Sequence, residues 1–490
     1  MDLIQVTSYE PILHGRNVLY TDYEKVDRSN VVDCLKKIWN KHMQNRSDIQ
    51  YLWDYYRNIH PIATRTKEVR PEITVNTAVS HATEIVDFKS GYLVGEPIQY
   101  VNRGITEDAS EAINELNGFM FAEDKASKDK ELSDWMHVCG TGYRMVYPNQ
   151  DEAADEDDAP YRIYTLDPRT TGVVYWSGLG HKPVLSFSWV LTEEHGAILS
   201  AYTDNAYYEL VGWNIVKEEY HYINHLPIVE YPLNNARMGA FEPVLPLLDA
   251  LDRVTTDRLE ATEMFVQALM VFQGVDIDSN DFAALRQQGA IKVPVEGDVK
   301  YLISELNQAE TQTLVDHLYH TILTICGMPT VAESGTSDSS NNGAVILKNG
   351  WQGAEARAKD AEMHFKRAER QVLKVVISIC DVLGKLSLRL PDIDIRFTRR
   401  NYEDIGSKST VLTQLLGCDK VHPRLAFEHC GLFPDPEVAY TMSEEYAKEQ
   451  EKKAMEMLSR QDESDADSDT TNEDTDNKEK AVDETTDSED

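Results

Sequence analysis

Basic residues are scarce in this chain of 490 residues. It carries 48 Lys and Arg against 84 Asp and Glu, which gives a formal net charge of −36 at pH 7. A protein that grips nucleic acid by neutralising phosphates needs a basic surface, so this class is disfavoured. Apolar segments are also short: Val375–Cys380 is among the longest. A bilayer span needs ~20 apolar residues, so no membrane segment is expected.

Cysteine is scattered rather than paired. The six cysteines show no CxxC spacing, and they are Cys34, Cys139, Cys326, Cys380, Cys418 and Cys430. This pattern fits a reducing compartment better than a disulfide scaffold. The start of the chain, Met1–Gln5, has no basic region followed by an apolar run, so no secretory signal is expected. We therefore expect a soluble, intracellular protein of two to four units, at roughly 100–200 residues per domain.

Catalytic motifs are missing as well. The sequence contains no HExxH, no GxSxG and no full GxGxxG, and Gly140-Thr141-Gly142 follows a helical pattern and indicates a turn. The segment Gly406–Thr410 does not have the first glycine of a phosphate-binding loop. We predict no catalytic residue, no cofactor and no enzyme activity.

Three groups of residues are candidates for metal ligands. His317 and His320 lie one helical turn apart, but no carboxylate constellation accompanies them. A second group has no common zinc-module spacing; it consists of Cys418, His422, His429 and Cys430. The acidic run Asp151–Asp158 favours a solvated loop, since it has no EF-hand spacing. No metal site is predicted; the enzyme alternative is a carboxylate metal-dependent nuclease that uses Asp151, Asp155 and Asp158.

The hydrophobic pattern of the first half changes from helical to β. Helical spacing occupies four segments before residue 145: Val31–Asn40, Asp48–Asn58, Asn76–Tyr92 and Leu132–Cys139. Alternating or β-branched segments then run to about Tyr231. The clearest are Tyr143–Tyr147, Val173–Trp176, Val184–Leu191, Tyr207–Val211 and Asn214–Tyr220.

The second half begins with a long helix predicted over Leu247–Gly274, whose apolar seam only Arg258 interrupts. A compact insert follows, predicted as a helix and two strands: Asp281–Gln287, Ala290–Val293 and Val299–Ser304. A second helix, Ala309–Cys326, precedes the polar segment Ala332–Asn342, which we interpret as a loop.

The longest predicted helix runs from about Ala354 to Leu386, a rod of ~50 Å. A strand, Ile393–Thr398, and further helices over Lys408–Leu458 complete the ordered part. Gln461–Asp490 holds 14 acidic residues and two lysines, so we predict a disordered tail. The fold class predicted for the whole chain is α+β.

Four segments, in this order, carry a resemblance to a known family. They are Asn76–Ile98, Asp129–Tyr143, Asp249–Leu259, and Gly327–Pro329 followed by Asn342–Lys348. Over residues 60–400 the chain resembles the portal proteins of tailed bacteriophages, of the siphovirus type. That family usually has Ser-Gly where this chain has Asn342-Gly343, and the acidic run Asp151–Asp158 is not part of its pattern.

The resemblance implies a portal-type protomer with named regions. These are a wing over residues 1–240 together with the long helix and returning strand 351–405, a stem helix over 241–275, a small α/β clip over 276–308, a second stem helix over 309–328, a tunnel-loop region over 329–350, a helical crown over 406–460, and the acidic tail 461–490.

The resemblance also implies the function and the candidate site residues. It implies a ring, commonly of twelve copies, at the unique capsid vertex, with a channel through which double-stranded DNA is packaged and ejected. The tunnel-loop residues would be Ser334, Gly335, Ser337, Asn341, Asn342 and Lys348. The clip residues that meet the motor and the adaptor would be Asp281, Arg286, Lys292, Glu296 and Lys300.

The implied partners are further copies of the chain, the terminase large subunit, the head–tail adaptor, the major capsid and scaffold proteins, and DNA bound without sequence specificity. No membrane partner is implied. Assembly would take place in the cytoplasm of the host bacterium, and the final location would be the virion. A different head–tail connector ring is the alternative within the structural class.

Overall fold

A computed structural model describes most of the chain. The described residues are 13–67, 74–103, 109–150, 158–194, 196–266, 269–273, 298–302, 308–329, 350–399, 405–433 and 436–466. They divide into two compact units, residues 1–403 and residues 404–490. Within the described residues, no helix is both long and apolar enough to cross a membrane. The architecture is α+β, as predicted.

The first unit contains seven described α-helices. They are α1 Val31–Tyr56, α2 His81–Val94, α3 Ala109–Ala122, α4 Lys125–Cys139, α5 Leu245–Val266, α6 Gln308–Cys326 and α7 Trp351–Val382. The second unit contains α8 Ile405–Leu416, α9 Pro423–Cys430 and α10 Pro436–Ala466.

Thirteen strands are described, all in the first unit. They are β1 Leu19–Thr21, β2 Gln99–Asn102, β3 Thr141–Pro148, β4 Tyr161–Leu166, β5 Thr171–Trp176, β6 Pro183–Thr192, β7 Gly196–Tyr202, β8 Ala206–Val211, β9 Asn214–Tyr220, β10 Ile228–Pro232, β11 Leu269–Gln273, β12 Asp298–Leu302 and β13 Ile393–Arg396. The largest sheet has the order β1-β5-β6-β7-β8-β9, in which only the β1–β5 pair is parallel. Three smaller sheets have the orders β10-β3-β4, β11-β12 and β13-β2.

Three large buried apolar clusters lie in the first unit. The first half of α1 packs Leu35 and Ile38 against Leu185 and Phe187 of the six-stranded sheet. The long helix α7 covers the β10-β3-β4 sheet. The third cluster joins the second half of α1 to α2, α4, α5 and α6. The division of these elements into a wing, a stem and a crown stays a prediction.

Three predicted elements are corrected. The helices predicted at Val31–Asn40 and Asp48–Asn58 are one helix. The turns between them bury His42 and Asn45, and these polar residues interrupt the apolar pattern in the sequence. The helix predicted from Asn76 begins at His81, since the backbone amides of Thr77 and Val79 donate instead to side chains of α5.

Two further differences concern helix ends. The first stem helix, predicted to reach Gly274, ends at Val266, and Leu269–Gln273 forms strand β11 against β12. A short apolar run fits a strand as well as a helix, which periodicity alone does not separate. The tail predicted as disordered from Gln461 is helical as far as Ala466, where α10 ends. The predicted segments Asp281–Gln287 and Ala290–Val293 and the loop Ala332–Asn342 lie outside the described residues.

Candidate functional site

The predicted site residues fall mostly outside the described part of the chain. All six tunnel-loop residues lie there, and so do Asp281, Arg286, Lys292 and Glu296 of the clip. Lys300 lies on β12, where its Cα is opposite that of Val271 on β11. The β11–β12 pair follows α5 along the chain and precedes α6, so the order helix, β insert, helix is present in this region.

The two helices that flank this insert pack against each other. Leu248 and Leu251 of α5 share a buried cluster with Ile322 and Leu323 of α6. Arg258 interrupts the apolar seam of α5 in the sequence, and its Nη1 donates to Oε1 of Gln312 on α6 at 2.8 Å. Arg258, the one polar residue in the apolar seam of α5, therefore also contacts α6.

A second face of α5 carries polar residues that bind the last turn of α1 and the chain that follows it. Tyr55 donates its hydroxyl to Asp249 Oδ1 at 2.9 Å, and the amide of Val79 donates to Asp252 Oδ1 at 2.9 Å. One turn further, the amide of Thr77 donates to Thr256 Oγ1 at 3.2 Å. Glu260 pairs with Lys67 at the next turn. The residues at positions 249, 252, 256 and 260 share one helical face.

His60 is the central partner of this face. Its Nδ1 lies 2.5 Å from Asp252 Oδ2, and its Nε2 lies 3.1 Å from the carbonyl oxygen of Tyr55. The ring is buried and stacks on Tyr55 with 3.9 Å between centroids. Burial raises the pKa of Asp249 above its usual range, while Asp252 adds to that shift. Residues 249 and 252 belong to a segment that the sequence singled out, but their buried partners could not be identified there.

The long helix α7 is anchored by a buried charge network around Glu369. Tyr100 and Tyr231 donate their hydroxyls to its two carboxylate oxygens, at 2.5 and 2.6 Å. Lys125 Nζ lies 3.2 Å from Glu369 Oε1 and 2.7 Å from Asp129 Oδ2. We call the five residues Tyr100, Lys125, Asp129, Tyr231 and Glu369, together with Arg144, the Glu369 network.

Arg144 supplies the second cation of the Glu369 network. Its Nη1 lies 2.6 Å from Asp129 Oδ1 and 3.6 Å from Glu369 Oε2. Burial disfavours the ionised carboxyl of Glu369, but Lys125, Arg144 and the two tyrosine hydroxyls outweigh it and lower its pKa to about 2. Two cations and two carboxylates balance, so the network ties α4, β2, β3, β10 and α7 together without net charge. The sequence gives no signal for it, because Glu369 is only one acidic residue beside an apolar seam.

Two of the candidate metal ligands, His422 and Cys430, have other roles. His422 precedes α9, and its Nδ1 accepts from the amide of Arg424 at 3.2 Å, which caps the helix. Cys430 is buried and its Sγ donates to the carbonyl of Phe427 at 3.3 Å. No group of three or more His, Cys, Asp or Glu side chains in the described ranges is placed to hold a metal ion. Of the nuclease alternative, Asp158 is described, whereas Asp151 and Asp155 lie outside.

Comparisons with known proteins place the chain in a family. No curated protein matches it. Matches among solved structures include a chain described as "Neck of empty GTA particle computed with C6 symmetry", at 10% identity and a TM-score of 0.43, covering 76% of this chain and 96% of that chain. The family model described as phage portal protein, SPP1 Gp6-like, matches residues 35–457. This match spans most of the sequence, and the chain therefore belongs to the SPP1 Gp6-like family of phage portal proteins.

Proposed function

We propose that copies of this chain close into a ring, commonly of twelve, at the unique vertex of a phage capsid. Double-stranded DNA would pass through the axial channel during packaging and ejection. The terminase large subunit would dock first and the head–tail adaptor later. The observation that carries the proposal is the family match over residues 35–457, and the α5, β11–β12, α6 order within it supports the assignment of a stem and a clip.

The regions of the protomer follow from this assignment. Helices α5 and α6 would be the stem. Residues 276–308, which include β12, would be the clip, and residues 329–350 would be the tunnel-loop region. Residues 1–240 with 351–405 would form the wing, and residues 406–460 the crown. A ring needs interfaces that close by rotation, and long helices suit packing against their copies.

The negative charge of the chain suits a channel that DNA passes through without binding tightly. Each copy contributes −36. An acidic wall cannot release many condensed counterions, so DNA would slide along it without binding tightly. The family is structural, which agrees with the missing catalytic motifs. A nuclease of the alternative kind would instead cleave DNA with divalent ions, and it would lose this activity on substitution of Asp151, Asp155 and Asp158.

The first experiment is to count subunits by native mass spectrometry and to inspect particles by negative-stain microscopy. We expect closed rings of about twelve copies with an open centre. A chain that stays monomeric at high concentration in every salt condition, with no rings on grids, contradicts the proposal.

A second experiment concerns the tunnel loop. Deletion of Ser334–Asn341 should leave ring yield unchanged, because that segment holds few apolar residues to bury. Packaged genome length should fall. Lys348→Ala should have a smaller effect, since one phosphate contact is a small contribution beside so many carboxylates. Packaging at the wild-type level with normal rings would show that the segment is only a linker.

The clip residues have their own experiment. Lys300→Glu should weaken binding of the terminase large subunit to preformed rings, and the exposed Lys385 offers a matched control, Lys385→Glu. Equal terminase binding by both variants would show that Lys300 is not part of the docking surface.

A further inference from the structure

A cavity of about 540 Å³ lies within the first compact unit, outside the elements assigned above to the clip and the tunnel loop. Its walls come from α2, the segment 233–243, the last residues of α6 and the first four turns of α7. Phe88, Leu93, Ala358 and Ala361 make much of its surface apolar. A space of this size has room for a few side chains.

Two cations, Lys89 and Arg357, line this cavity. Lys89 on α2 is half-buried and Arg357 on α7 is exposed. Neither makes a hydrogen bond or an ion pair in the part of the chain that the structure describes. Asp360 also lines the cavity but pairs with neither of them. Burial lowers the pKa of the Lys89 amine, and the charge of Arg357 adds to this lowering.

The end of α6 shapes the position of Arg357. Gly327 terminates the helix with a φ of +67°, and a Cβ at this residue would lie 2.9 Å from Cγ of Arg357. The stem of Arg357 therefore packs over the glycine, which places its head group near the cavity. This packing fixes one of the two cations against the protein wall rather than leaving it free in solvent.

The charge of the chain indicates what would pair with these cations. Carboxylates outnumber basic side chains, 84 to 48, so a second copy of the chain carries many unpaired acids. A half-buried lysine without a partner is costly when its charge is desolvated, and a carboxylate from outside would remove that cost. Apolar walls around two cations match a segment that presents one carboxylate next to apolar side chains.

We propose that this cavity receives an acidic side chain of a neighbouring copy, whose carboxylate pairs with Lys89 and Arg357. The inference rests on the proposed ring, and it names a subunit contact within it. Nucleic acid is the competing occupant, and the test separates the two.

The first measurement uses Lys89→Met and Arg357→Met, which keep the apolar stem and remove the charge. Lys385→Met is the control, because Lys385 is exposed and does not line the cavity. We expect Lys89→Met to raise the subunit concentration at half-assembly by about tenfold at low salt, since loss of one partner of a desolvated charge pair weakens an interface. Unfolding midpoints of the dissociated variants check that each one folds.

The second measurement leaves the sequence intact. Competitive acetylation of wild-type protein, followed by mass spectrometry, compares the reactivity of Lys89 in dissociated subunits and in rings. We expect Lys89 to react readily in the subunit and to be protected in the ring, while Lys385 reacts alike in both.

Each other outcome overturns the proposal. Rings in which Lys89 reacts as it does in the free subunit, together with unchanged assembly of Lys89→Met, overturn it and leave the proposed function standing. Protection that appears only when duplex DNA is added assigns the cavity to nucleic acid. A wild-type chain that forms no ring overturns the proposed function and this inference together.

Discussion

Two helices of nearly equal length have opposite environments. Helix α7 has 32 residues and α10 has 31. Along α7, buried residues recur from Ala354 to Cys380, whereas every described side chain of α10 from Thr441 to Met455 is exposed. Helix length and helix-forming residues do not decide burial; the presence of a continuous apolar face does.

The apolar face of α7 extends over its whole described length and includes one charge. Phe365, Val372 and Ile379 pack on the β10-β3-β4 sheet. Glu369 is buried beside them and is paired within the Glu369 network. Because the Glu369 network lies within the core, the register of α7 against the sheet is fixed by ion pairs and hydroxyl donors as well as by packing.

Helix α10 has a different source of support. Its first turns contact α9 through Phe427 and Tyr440, with 5.9 Å between ring centroids. Further along, Val438, Met442 and Tyr446 are 53%, 65% and 64% exposed and lie one turn apart. Helices in water gain most of their stability from packing of an apolar face. In the isolated chain α10 is therefore the less stable of the two.

The largest expected effect comes from removing Glu369. Glu369→Ala leaves Arg144 and Lys125 buried with one carboxylate between them, so we expect a loss of about 3–5 kcal/mol in the free energy of unfolding. All seven tryptophans lie before residue 404, so tryptophan fluorescence during denaturation reports on the first unit alone. Glu444→Ala on α10 is the control and should leave that transition unchanged. Equal midpoints for both variants would contradict the anchoring role of the Glu369 network.

The next largest effect is expected from acid, through His42 of helix α1 in the first unit. Burial lowers the pKa of His42 to about 4, with Arg46 adding to the shift. The unfolded chain then binds a proton that the folded chain does not, so stability present above about pH 6.5 falls as the pH drops towards 4. We expect a loss of about 2–3 kcal/mol from this residue over that range.

The variant that tests this is His42→Gln, which keeps an acceptor for Trp189 Nε1, now 3.0 Å from His42 Nε2. Its fluorescence midpoint should change less between pH 7 and pH 4.5 than the wild-type midpoint. An identical pH dependence in both proteins would assign the acid sensitivity to other groups.

Much of this comparison was predictable from the sequence, and some was not. A long helix was predicted from about Ala354 to Leu386, where α7 lies, and α6 and β9 were predicted nearly to the residue. The sequence did not predict that the first two helices are one, because buried polar residues such as His42 interrupt the apolar pattern. It did not predict strand β11 either, because a short apolar run fits a helix as well as a strand. His60 and Asp252 are 192 positions apart in the sequence. The Glu369 network joins residues from different helices and sheets. No local sequence pattern predicts contacts of either kind.

A smaller effect should follow from shortening one aliphatic side chain on each helix. Ile379→Val in α7 should cost about 0.5–1.5 kcal/mol, since the side chain is buried and its neighbours close the gap only in part. Val438→Ala in α10 should change the helical circular dichroism of dissociated subunits little, because that side chain is already exposed. Urea denaturation of both variants gives the comparison, and a larger loss for Val438→Ala in dissociated subunits would contradict the assignment of burial.

The smallest effect concerns the charges along α10. Glu449 and Lys453 form an i,i+4 ion pair at 2.8 Å, with 61% and 55% of their side chains exposed. Solvent and salt screen such a pair, so Glu449→Gln should change the helical signal only slightly at low salt and not at all at 0.5 M salt. The matched change in α7 is Glu362→Gln, because Glu362 pairs with Lys366 and with Arg399 Nη1 and is only 16% exposed. That variant should destabilise the first unit at both salt concentrations, since its partners are shielded from solvent. If high salt removes the two effects equally, the ion pairs of α7 and α10 are equally exposed, and the difference between the helices is one of apolar packing alone.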